Sequence, residues 1–121
     1  MNIHIPTEAQ EQTALFEWIT LAQRVHPELA LTHAIPNGGS RNIIEAHNLR
    51  LQGVKPGVPD ICLPCARKGR HGLYIELKRR KGGRVSVDQK RMLAALREQG
   101  YEACVCYGWE DAKNTILEYL R

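Results

Sequence analysis

Apolar positions recur at helical spacing near the start of the chain: Leu15, Trp18, Ile19, Ala22 and Val25 fall on one stripe. The stripe predicts a helix from Glu8 to about Val25. Thr7 is a good N-cap, Gln10 three residues on completes a capping box, and Pro27 ends the element. Leu31 to Ile35 reads as a short strand, followed by a loop at Pro36-Asn37-Gly38-Gly39-Ser40. Asn42 to Leu51 reads as a second helix, stopped by Gly53. Its apolar residues Ile43, Ile44 and Leu49 are expected to pack in the core, with a dimer surface as the alternative.

Farther on the period changes from helical to alternating. Lys55-Pro56-Gly57-Val58-Pro59 is a rigid turn leading into a strand from about Asp60 to Leu63. A basic, glycine-containing connection, Arg67 to Gly72, leads to a strand from Leu73 to Lys78. There Leu73, Ile75 and Leu77 alternate with Tyr74, Glu76 and Lys78. Gly82-Gly83 breaks the chain. Ser86 caps a helix running to about Gln99, with Gly100 as its stop. Glu102 to Tyr107 reads as a strand and Trp109 to Leu120 as a last helix. The order αβαββαβα predicts an α/β fold, a mixed central sheet flanked by helices.

The length, 121 residues, suits one domain covering 1–121, and 43% hydrophobic with 25% charged residues is a folded composition. No apolar run approaches the roughly 20 residues that span a bilayer. The polar N-terminus lacks a signal-peptide core, so the expected location is the cytoplasm, with no membrane partner.

The net charge is +4, but ten of the seventeen Lys and Arg residues lie between Arg67 and Arg91, against two acids, Glu76 and Asp88. Such a field suits a polyanion such as nucleic acid; the bland alternative is a solvated basic surface. The cysteines, Cys62-x-x-Cys65 and Cys104-x-Cys106, sit in apolar, strand-like runs without the glycine turn of a zinc knuckle. They are expected to pack as small hydrophobes, with a structural zinc as the rival.

Glu76 and Lys78 are two apart in a strand, so they project from the same face while Leu77 points into the core. Asp60 begins the neighbouring strand. If the two strands form a hairpin, the start of one lies near the end of the other, and Asp60 approaches both. Two carboxylates so placed raise each other's pKa unless a cation sits between them. Mg2+ or Mn2+ would satisfy both, because hard cations take oxygen ligands and keep waters; the Leu77 carbonyl is a further ligand candidate. Such a cation neutralises a phosphate and acidifies a water, and a neighbouring Lys stabilises charge on phosphorus.

Pro59-Asp60 with Glu76-x-Lys78 sixteen positions on resembles the PD-(D/E)xK nuclease signature. Gly57-Val58-Pro59-Asp60-Ile61, Tyr74-Ile75-Glu76-Leu77-Lys78, Gln89 in a helix and Gly100-Tyr101-Glu102-Ala103 entering a strand narrow the match. Together with Gln12 and the Ile35-Pro36-Asn37-Gly38 loop they resemble a stand-alone VRR-NUC (virus-type replication-repair nuclease) domain of phage or bacterial type.

The resemblance implies a restriction-endonuclease-like core and a divalent-metal endodeoxyribonuclease. It implies catalytic roles for Asp60, Glu76, Lys78 and Gln89, and an acidic ligand from the first helix. Glu8 and Glu11 both qualify for that ligand. Glu11 lies near the middle of the apolar stripe, whereas Glu8, four residues before Gln12, matches the family pattern. Glu8 also suits a helix first turn, and Gln89 also fits a capping box with Ser86.

Asn37, Arg41, Arg79, Arg80, Lys81 and Arg84 are candidates for phosphate contacts, which position DNA without reading sequence. Stand-alone members resemble Holliday-junction resolvases, which implies a homodimer on branched or four-way DNA, in replication or repair. The alternatives are a restriction- or flap-type nuclease of the same superfamily and a non-catalytic DNA-binding module.

Overall fold

The computed structural model describes residues 4–36 and 42–121. It contains the helices α1 (Glu8–Ala22), α2 (Ile43–Leu51), α3 (Val87–Glu98) and α4 (Trp109–Leu120). The strands are β1 (His33–Ala34), β2 (Ile61–Leu63), β3 (Leu73–Lys78) and β4 (Glu102–Tyr107), and a 3-10 helix covers Pro27–Leu31. The order along the chain is the one the periodicity predicts, with the 3-10 helix added.

The four strands form one sheet in the order β1-β2-β3-β4. β1 and β3 each run antiparallel to β2, with Ile61 opposite Ile75 and Leu63 opposite Leu73. β3 and β4 are parallel, from Leu73 opposite Glu102 to Lys78 opposite Tyr107. A parallel pair needs a crossover, and α3 supplies it. The core gathers Leu15 and Ile19 of α1, Ala112 and Ile116 of α4, and Leu73, Ile75, Leu77 and Cys106 of the sheet. Thus α1 and α4 cover the face that carries Leu73, Ile75 and Leu77, while α3 lies along β4.

Three expectations change. α1 stops at Ala22, so Val25 leaves the stripe and is 75% exposed. Pro27 starts a 3-10 turn that consumes Leu31, which shortens β1 to His33–Ala34. α2 contributes nothing to the core: it buries no residue, and Ile43 and Ile44 are 83% and 72% exposed. Asn42 caps it by accepting from the Ile44 and Glu45 N–H groups. Cys62, Cys65 and Cys106 are buried free thiols and Cys104 is half-buried. Among the described residues no helix is long and apolar enough to cross a membrane.

Candidate active site

Asp60, Glu76 and Lys78 meet where β2 begins and β3 ends. The antiparallel register with Ile61 opposite Ile75 carries Asp60 to the level of Glu76. Asp60 Oδ2 accepts from the Leu77 N–H at 2.7 Å, and its carbonyl accepts from the Ile35 N–H at 2.7 Å. The residue is therefore pinned between β1 and β3. The turn before it is held by a close backbone approach. Gly57 has φ +85°, and a Cβ there would lie 2.5 Å from the Asp88 carbonyl, so only glycine lets this turn sit against the start of α3.

Glu76 is 2% exposed and Lys78 7%. Lys78 Nζ lies 3.8 Å from Glu76 Oε2 and 3.9 Å from Glu8 Oε1. The Glu76 carboxyl is pushed up to about 9, first by burial, then by its hydrogen bond with Asp60 and the Asp60 charge; Lys78 opposes this and Glu8 adds to it. Its other oxygen, Oε1, is buried without a hydrogen-bond partner. A buried, unmatched carboxylate oxygen beside a second carboxylate fits a hard cation. No three His, Cys, Asp or Glu side chains among the described residues already stand as a complete ligand set. The donors are two carboxylates, and Glu8 currently faces Lys78. The Leu77 N–H points to Asp60, and in an extended strand the carbonyl of the same residue leaves by the same edge.

The two first-helix candidates separate. Glu8 is beside Lys78. Glu11 is 1% exposed and committed elsewhere: Oε2 accepts from Arg80 Nε at 2.9 Å and Oε1 from the Trp109 N–H at 3.2 Å. A carboxylate at the start of α4 complements the positive end of that helix. Glu11 thus ties α1 to α4 and to the chain leaving β3. Both carboxylate oxygens of Glu11 are thus engaged, while Glu8 faces Lys78.

The basic residues after β3 divide in the same way. Arg80 pairs with Glu11 and with Glu110 at 3.3 Å, and Arg79 donates to the Ile5 carbonyl at 3.1 Å. Both brace the chain leaving β3, the same residues that the sequence offers for phosphate contact. Lys81 and Arg84 are exposed. Asn37 and Arg41 lie outside the described residues. Gln89 does make the capping box, its Oε1 accepting from the Ser86 N–H at 2.8 Å. Its side-chain NH2 remains a donor, one residue from the Gly57 contact. The bracing by Glu11, Arg79 and Arg80 has no local sequence signal, since all three partners are distant along the chain.

A mixed four-stranded sheet flanked by helices, with acids gathered where an antiparallel pair meets a parallel one, defines an α/β protein with a restriction-endonuclease-like core. The chain belongs to the VRR-NUC domain family, whose model matches residues 3–110. This is a family of nucleases of the PD-(D/E)xK type, so the chain is a nuclease domain. A solved structure titled "VRR_NUC domain protein" is similar at a TM-score of 0.81 and 28% identity, over 98% of this chain and 91% of that one. No curated protein matches the chain.

Proposed function

We propose that this nuclease is a divalent-metal-dependent endodeoxyribonuclease that cuts branched DNA, with the four-way junction as its preferred substrate. The observation that carries the metal is Glu76: a buried carboxyl with an unmatched oxygen, pressed against Asp60 and 3.8 Å from a buried lysine. Asp60, Glu76, the Leu77 carbonyl and Glu8 would hold the ion, Glu8 in place of its present contact with Lys78. When bound, Mg2+ or Mn2+ supplies positive charge and Lewis acidity at the scissile phosphate.

The chain's own residues do the rest. Asp60 is held in place by the Leu77 N–H and needs no rearrangement. Lys78, freed from Glu8, donates to the phosphate oxygens and stabilises charge that develops there. The Gln89 amide donates at the same site from the start of α3. Asn37, Arg41, Lys81 and Arg84 hold the backbone of the substrate.

The active form is a homodimer, because two-fold symmetry places two sites on two strands of a junction. The uncovered face of α2 with Ile43 and Ile44 is the interface.

A cleavage assay in Mg2+ or Mn2+ on a four-way junction, a flap and plain duplex tests this reading. Wild type is expected to cut the junction fastest, with Asp60→Ala and Lys78→Ala reduced on the order of a hundredfold or more while still binding. Equal cutting of duplex and junction would remove the junction assignment. Undiminished cutting by either variant would remove the site.

A further inference from the structure

The face of the sheet opposite α1 and α4 carries aromatic rings beside the acidic cluster. Tyr74 is two residues before Glu76 on the same face of β3, roughly 7 Å away at strand spacing. The Tyr101 ring centroid lies 5.2 Å from that of Tyr74, and His71 lies 5.6 Å from Tyr101, both edge to face. The row therefore runs Glu76, Tyr74, Tyr101, His71.

Each ring is held by a specific contact. Tyr74 stands directly opposite Cys62 across β2 and β3, so its side chain shares a face with the buried thiol. The Tyr101 ring lies near Gly72, just before β3, where a Cβ would be in ordinary contact with its Cδ1 at 3.5 Å. The His71 ring rests on Gly100, where a Cβ would come within 2.8 Å of it.

These rings are not core. Tyr74 and Tyr101 are half-buried, His71 is exposed, and none belongs to the main hydrophobic cluster. A cation lies beside the row: Arg97 Nε donates to the carbonyl of Ala103, the residue opposite Tyr74 in β4, and Arg70 is the sequence neighbour of His71. Preset rings beside positive charge form the usual surface for an unpaired strand, since every base offers a π-face while phosphates seek the cations.

We infer that Tyr74, Tyr101 and His71 form a stacking subsite for unpaired nucleobases next to the scissile phosphate. This inference rests on the nuclease reading and adds what the substrate must present: nucleotides out of the duplex, within reach of the acidic cluster. The subsite favours branch points and single-stranded arms, because paired bases have no free face for the rings.

The test uses the full chain in EDTA, where no cutting occurs, with a duplex bearing a short unpaired arm that carries 2-aminopurine beside the branch. Wild type and Tyr101→Phe are expected to quench its fluorescence on binding. Tyr101→Leu is expected to lose the quenching and to bind about tenfold more weakly. His71→Ala, at an exposed ring, gives a loss of about threefold and keeps the test informative if Tyr101→Leu fails to fold. Unchanged fluorescence with wild type, or equal affinity across all variants, would overturn the subsite. Cleavage of the same DNA in Mg2+ is read separately. Cutting without quenching removes the subsite alone, whereas quenching without cutting by wild type on any DNA removes the enzymatic reading alone.

Discussion

Replacing Glu76 by Gln converts the metal-free site into a measurable pH dependence. In the unfolded chain this carboxyl titrates near 4.5, and in the fold it is pushed up to about 9 by burial and by Asp60. Between those values the folded protein keeps the proton and the unfolded chain does not. Stability from this group is therefore complete below 4.5 and declines as pH rises toward 9. Each pH unit inside the window costs on the order of 1 kcal/mol, so moving from pH 6 to pH 8 removes roughly 3 kcal/mol. For a chain of this size that is on the order of 10 °C in Tm.

Gln has the shape of the protonated acid and no charge to titrate. Thermal unfolding in EDTA at pH 6, 7 and 8 should show Glu76→Gln overtaking wild type by that amount as pH rises. Saturating Mg2+ should reverse the order at pH 8, because the cation replaces the proton on wild type and finds one carboxylate fewer in the variant. Parallel wild-type and Glu76→Gln profiles in EDTA would refute the reasoning, since they would mean that Glu76 is not buried as an acid.

Other substitutions probe the scaffold around the site. Gly57→Ala combines a left-handed backbone with a Cβ 2.5 Å from the Asp88 carbonyl. It should cost at least about 1–2 kcal/mol and lower cleavage by displacing Asp60; a melting point within error of wild type would show that the turn moves freely. Glu11→Ala leaves the Trp109 N–H unpaired beside a new cavity, and chemical denaturation should show a loss of about 2 kcal/mol. Ile43→Glu with Ile44→Glu should yield monomers by light scattering, with Tm almost unchanged because α2 buries no residue of its own chain. A dimeric double variant would move the interface elsewhere.

Much of the fold could be read locally. The capping boxes at Thr7 and Ser86 are there with both reciprocal bonds. β3 runs from Leu73 to Lys78 as its alternation predicts. The hairpin inferred from two short strands has the register that brings Asp60 beside Glu76. Ile43 and Ile44 show the limit of this reading: an apolar stripe says that a surface seeks cover, not whether the cover comes from its own chain.

What the sequence determined by itself is the set of local rules: helix stripes, caps, strand alternation, and therefore the shared face of Glu76 and Lys78. Periodicity is a property of neighbouring residues and survives any arrangement of the elements. The different surroundings of Glu8 and Glu11 belonged to the tertiary structure. The two are three residues apart on one helix, so both look toward the sheet. Only the packing of α1 against α4 delivers Glu11 to Arg80 and the Trp109 N–H, and so leaves Glu8 beside Lys78. The burial that lifts Glu76 to about 9 is likewise a sum over distant elements, and no window of sequence contains it.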